Sequence, residues 1–190
     1  MKSQSMSQYL TACAEAMQKA ATETLDVAFA QSVDTIVTAL KAQKPLLVCG
    51  NGGSMADAQH IAGELVARFL INRKALNVIA LGSVAATMTA WGNDVDFSDV
   101  FAREVEAFGA EGGVLLAIST SGNSGNILKA IEKAHAQGMT VIALTGNQGG
   151  KMADVCDIVL CPEVEGTPHI QEIHTPIYHL LCAQVEARCA

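Results

Sequence analysis

Five short apolar runs, most of them closed by glycine, serine or asparagine and separated by helical stretches, constrain this chain more than any other feature. They are 46–49, 77–81, 113–118, 140–144 and 157–160. A strand covered on both faces is apolar throughout rather than alternating, and parallel neighbours need a crossover helix between them. Right-handed crossovers then fold such runs into a single sheet. The expectation is an α/β fold of one domain over residues 1–190, with a doubly wound, five-stranded parallel sheet flanked by helices in 45–190. Only 4% of residues are aromatic, so the core must be built from Ala, Val, Leu, Ile and Met, which suits that architecture better than a β-sandwich.

Residues Ser5 to Lys44 precede the first run and form two helices: Leu10, Cys13 and Met17, then Leu25, Phe29, Val33, Ile36 and Leu40, recur at helical spacing. They carry more apolar surface than one sheet face needs, which predicts a homo-oligomer. With 12 basic and 19 acidic residues the net charge is −7, and no run of Lys or Arg tracks a nucleic-acid backbone. No nucleic-acid partner is expected. No apolar stretch reaches the roughly 18 residues of a membrane span, so no membrane partner is expected either. The six cysteines are scattered without a CxxC pair, and the N-terminus lacks an apolar signal core. They read as reduced thiols of a cytoplasmic protein, mostly small buried hydrophobes, with no histidine in an evident partner position.

The first run leads into Gly50-Asn51-Gly52-Gly53-Ser54 and a helix over 55–69. Three glycines allow a tight backbone, Ser54 is placed to cap the helix with Asp57 three residues on, and free N–H groups at a helix start suit an anion. An ordinary Gly-rich turn fits these residues equally well. The third run leads into Ser119-Thr120-Ser121-Gly122-Asn123-Ser124-Gly125-Asn126 and a helix over 127–137. One hydroxyl suffices for a cap, so the surplus points to phosphate. The segment 145–150 after the fourth run reads as a polar turn.

His60, Glu64 and Arg68 stand four apart on the first of these helices, and therefore on one face. A His and a Glu so spaced make either a metal half-site or acid/base pair, or a solvated polar stripe. Near the C-terminus Thr167-Pro168 reads as a cap and first helical residue. The helix after it places Gln171, Thr175 and His179 on one face and Ile173, Ile177 and Leu181 on another, with Glu172 and His174 off the first.

Taken together, GNGGSxADAQHxAGELVxRF, STSGNSGN, ALTGxxGG and IQEIHxxxxHLLC occur in order along nearly the whole chain. This set resembles the phosphoheptose isomerase branch of the sugar isomerase (SIS) family. The resemblance implies a flavodoxin-like or Rossmann-like sheet, a homotetramer with active sites between subunits, and conversion of D-sedoheptulose 7-phosphate to D-glycero-D-manno-heptose 7-phosphate, which supplies ADP-heptose for lipopolysaccharide core. It assigns substrate and phosphate to Asn51, Gly52, Gly53, Ser54, Ser119, Thr120, Ser121, Ser124 and Gln171. Asn93 and Asp94 join the site by resemblance alone, since Gly92-Asn93-Asp94 otherwise reads as a turn. Catalytic roles fall on Glu64 and His179, and a Zn2+ ion, with no nucleotide cofactor, on His60, Glu64, Gln171 and His179. Moving a proton between C1 and C2 through an enediol requires a carboxylate base at the carbons and an acid at the oxygens.

Met55 departs from the small residue usual after GNGGS, and Pro176 interrupts the last helix. The rival reading is a non-catalytic binding protein of the same fold, of the replication-initiator-associating type, which typically lacks counterparts of Glu64 and His179. A sugar-phosphate-sensing regulator would need an attached helix-turn-helix, for which 190 residues leave no room.

Overall fold

A computed structural model describes residues 4–146 and 148–190. Two helices come first, α1 (Met6–Ala20) and α2 (Glu23–Lys41), each closed by a side-chain cap: Ser5 with a reciprocal bond to Gln8, and Thr22 on the Leu25 amide. Then follow β1 (Leu46–Gly50), α3 (Gly53–Val66), β2 (Val78–Ala80), α4 (Ala85–Trp91), α5 (Val100–Phe108), β3 (Val114–Ile118), α6 (Gly125–Ala136), β4 (Thr140–Leu144), α7 (Met152–Val155), β5 (Ile158–Leu160) and α8 (Thr167–Cys189). All five expected strands are present and every pairing is parallel, in the order β2-β1-β3-β4-β5.

The strands are apolar throughout because both faces are covered. Leu46, Val48, Val114, Leu116, Ile118, Ile142 and Leu144 point into one core, packed by α2, α3 and α8. Their neighbours Leu47, Cys49, Leu115, Ala117, Val141 and Ala143 point into a second, with Phe101, Val105, Ile127 and Ile131 from α5 and α6. The alternation is present, but both of its phases are hydrophobic.

Several element ends differ from the expected ones. Helix α6 opens two residues before 127 and closes at Ala136. Gly92-Asn93-Asp94 is not a turn: it belongs to a π-helical segment, Gly92–Asp96, that continues α4. The cap of α8 is Gly166 at φ +85°, and Thr167 is already helical. Pro176 lies inside α8 without ending it. Only Cys49 and Cys182 are buried, the other four cysteines being partly exposed. Asn147, in the turn after β4, lies outside the described residues.

The largest shift is at the end of α3, which stops at Val66 rather than Phe69 and leaves Arg68 off the helical face of His60 and Glu64. Glu186 of α8 causes it. Its fully buried carboxylate accepts the amides of Phe69, Leu70 and Ile71 at 2.8, 2.6 and 3.0 Å, drawing them out of the helical ladder. Arg73, 3% exposed, pairs with that carboxylate at 3.1 Å and donates to the carbonyl of Glu64 at the helix end. Burial pushes the Glu186 carboxyl up, but the three amides and Arg73 outweigh it and hold the group below its ordinary range.

Breaking this pair in Glu186→Gln leaves Arg73 buried without its partner, a loss of about 3–5 kcal/mol in urea unfolding at neutral pH. Because the folded carboxyl is depressed, that stability is present above the ordinary glutamate value of about 4.3 and disappears as pH falls through the folded one, so the two proteins converge in acid.

Candidate active site

Strand order reverses between β1 and β3: the chain leaves β1 for β2 on one side and β3 for β4 on the other. The loops at their carboxyl ends diverge there and open a cleft, the place where sheets of this order bind ligands. Two asparagines hold the cleft together. Asn51 donates to Asn126 Oδ1 at 2.8 Å, and Asn126, 6% exposed in the first turn of α6, donates back to Asn51 Oδ1 at 2.9 Å.

The helices that start at this cleft differ from α1 and α2 in having no side-chain cap. Gly52 at φ +56° begins α3 and Ser124 begins α6, so the Gly53 amide of one and the Gly125 and Asn126 amides of the other take no side-chain cap and are available to an anion. Ser54 is not the expected cap: it lies buried in the first turn of α3, its amide on the Asn51 carbonyl. Asp57 likewise turns away, toward Tyr178. Buried Ser119 meets Ser124 Oγ to Oγ at 3.1 Å, with Thr120 half-buried and Ser121 exposed at the rim. The turn after β4 supports this loop from behind. At Gly122, φ +64°, a Cβ would come within 1.8 Å of the Gly149 carbonyl oxygen, so only glycine permits the approach.

A cavity of about 450 Å³ lies between the start of α3 and α8, lined by Gly53, Ala56, Asp57, Pro168, Gln171, Glu172 and Thr175. Gln171 takes the space where Gly53 lacks a side chain, since a Cβ there would stand 2.5 Å from its Nε2. Further along the same two helices, His60 Nε2 meets Glu64 Oε1 at 3.0 Å and His60 Nδ1 meets the Tyr178 hydroxyl at 3.1 Å. The hydroxyl also reaches Asp57 at 3.5 Å, and burial raises the Asp57 carboxyl above its ordinary range. The His179 ring lies 5.2 Å from the His60 ring, edge to face, and Phe69 stacks on it at 5.8 Å. The helix carrying His60 and Glu64 and the helix carrying His179 therefore converge.

Asn93 and Asp94 bond to each other at 2.8 Å on the exposed π-helical segment, and no hydrogen bond joins them to the loops above among the described residues. His174, off the polar face of α8 as expected, is a core histidine: it is fully buried, bonds the Thr145 carbonyl at 2.8 Å and is held below its ordinary value by burial. Tyr178, Asn126 and Phe69 were not singled out from sequence. Asn126 alone carried a signal, as the last residue of the hydroxyl-rich loop.

The donors suit a zinc ion. Two imidazoles and a carboxylate are a usual catalytic set, and the bond from His60 Nδ1 to Tyr178, with Asp57 beyond, is the outer support that orients a ligating ring and frees its Nε2. As a set, the donor atoms of His60, Glu64 and His179 spread wider than 4.8 Å.

The family model described as the SIS domain matches residues 8–146. The phosphoheptose isomerase of Crocosphaera subtropica is 50% identical over 85% of this chain and 82% of its own. Among solved structures, the phosphoheptose isomerase of Neisseria gonorrhoeae superposes with a TM-score of 0.90 at 37% identity, over 95% of this chain and 96% of that one. The one from Francisella tularensis gives 0.91 at 40%, over 96% of both. The four motifs, the switch-point cleft and these likenesses place the chain in the phosphoheptose isomerase family of SIS-domain proteins.

Proposed function

We propose that this chain isomerises D-sedoheptulose 7-phosphate to D-glycero-D-manno-heptose 7-phosphate, in the cytoplasm and on the route to ADP-heptose for lipopolysaccharide core. The observation that carries the reading is the meeting of Glu64, His60 and His179 where α3 and α8 converge, since a phosphate-binding protein without chemistry has no use for it. The uncapped starts of α3 and α6, with Ser119, Thr120, Ser121 and Ser124, hold the phosphate, and Asn51, Gly52, Gly53 and Ser54 form the opposite wall of the cleft. Gln171, Asn93 and Asp94 bind hydroxyls of the chain.

Glu64 takes the proton from C1 of the open-chain ketose while His179 protonates O2, giving the enediol. His179 then removes the O1 proton and Glu64 returns its proton to C2, which leaves the aldose. Phe69 and Tyr178 fix the two imidazoles for this exchange. Zn2+ held by His60, Glu64, Gln171 and His179 would supply a Lewis acid for the C1 and C2 oxygens.

Glu64 stands eleven residues beyond Gly53 on α3, about 16 Å along the axis. As the family resemblance implies, the reading places the base and the phosphate loops of one site on different subunits. A homotetramer is consistent with the unpartnered apolar surface of Met6, Leu10, Met17 and Val27, and with a groove of about 290 Å³ edged by Met17, Leu25, Phe29 and Leu180.

Incubated with sedoheptulose 7-phosphate in D2O, the protein forms aldose with deuterium at C2, and Glu64→Gln slows this by roughly 10²–10⁴-fold. Absence of aldose with wild type, or unchanged turnover in the variant, defeats the reading. Glu64→Gln and Ser121→Ala subunits, each impaired alone, regain turnover when denatured and refolded together, whereas a site built within one protomer regains none.

A further inference from the structure

One group of reactive side chains has no place in the sugar chemistry. Where α1 crosses the first turns of α8, Cys13 Sγ lies 3.2 Å from Glu172 Oε2 and 3.9 Å from His169 Nδ1, and that nitrogen lies 2.8 Å from the same oxygen. Among the described residues this is the group of His, Cys, Asp and Glu whose ligand atoms all come within 4.8 Å of one another. All three side chains are partly exposed, so an ion has a way in. Tyr9, one turn before Cys13, donates its phenol to the other carboxylate oxygen and stacks on the His169 ring at 5.4 Å.

Tetrahedral zinc, with bonds of about 2.0–2.3 Å to N, O and S, separates neighbouring donors by roughly 3.3–3.7 Å. The three observed separations, 2.8, 3.2 and 3.9 Å, bracket that range, so an ion fits after small rotations of the side chains. A thiolate with an imidazole and a carboxylate selects zinc over calcium or magnesium, which take oxygen alone. The Tyr9 bond fixes the carboxylate and its stacking fixes the imidazole, as outer partners of a metal site do. Without an ion, burial first and the Glu172 carboxylate next hold the Cys13 thiol above its ordinary value, and the thiol donates its hydrogen bond to Glu172.

We propose that Cys13, His169 and Glu172 bind one Zn2+ per chain, with water in the fourth position, at a site distinct from His60, Glu64, Gln171 and His179. On binding, the S–H bond ionises, the proton passes to solvent and a Zn–S bond forms; nothing is oxidised or reduced. The ion ties α1 to the start of α8. It also takes up the carboxylate of Glu172, which lines the cavity beside Gln171.

Co2+ added to chelator-stripped full-length protein tests this, because only a sulfur ligand gives a thiolate-to-cobalt charge-transfer band and the sugar-site set contains no sulfur. The expected band appears in the wild type, saturates at a single equivalent per chain in His60→Ala, where the sugar-site set is broken, and is absent in Cys13→Ser. Tyr9→Phe, which keeps all three ligands, weakens Co2+ binding roughly 10–100-fold and decides the matter should Cys13→Ser fail to fold. No band in the wild type, a band undiminished in Cys13→Ser, or unchanged affinity in Tyr9→Phe overturns the site.

Discussion

The reversal of strand order between β1 and β3 is the constraint on which the rest of the molecule depends. It separates the crossovers of the two neighbouring strands and leaves a gap over the sheet's carboxyl edge that no side chain of the core fills. The loops after β1 and β3 lie on that gap, and the Asn51–Asn126 pair spans it with two bonds of 2.8 and 2.9 Å. A pair of neutral amides that satisfy each other adds no charge to the cleft. It fixes the spacing of two helix starts, neither of which carries a side-chain cap.

The His60, Glu64 and His179 cluster sits elsewhere, along α3 and α8, and is held by a different kind of interaction. The His60–Glu64 bond, the Tyr178 and Asp57 support and the Phe69 stack on His179 are all side-chain contacts between two helices. Their aim depends on how those helices pack, which in turn rests on Ile61 and Leu65 of α3 and Ile177 and Leu181 of α8 in the core below. In the proposed function, phosphate binding is a property of the sheet edge and catalysis a property of the helical layer. A protein of this fold could keep the first and lose the second by changing very few residues, as the non-catalytic alternative would require.

What the sequence revealed follows the same division. The five strands were legible because burial on both faces makes each run apolar, a signal that needs no partner to interpret. The loops after β1 and β3 were legible as candidates because glycines and surplus hydroxyls are local. The end of α3 was not, since Glu186 stands 117 residues from the amide of Phe69 that it captures. Helical periodicity in 67–69 is real but is overridden by a buried carboxylate. Tyr178 was hidden for a similar reason: an aromatic residue in a helix usually means core, and it is core, 2% exposed, with its hydroxyl reaching His60 and Asp57. Cys13 had no visible histidine partner because His169 lies 156 residues away.

Glu186 has a consequence beyond stability. The segment it holds, 69–71, carries the ring that packs on His179, so the segment cannot detach while that imidazole stays clamped. Local opening of this short stretch and loss of the aligned imidazole are therefore a single event, governed by a single equilibrium. A carboxylate buried in α8 thus sets how long the His179 ring keeps its stacking partner.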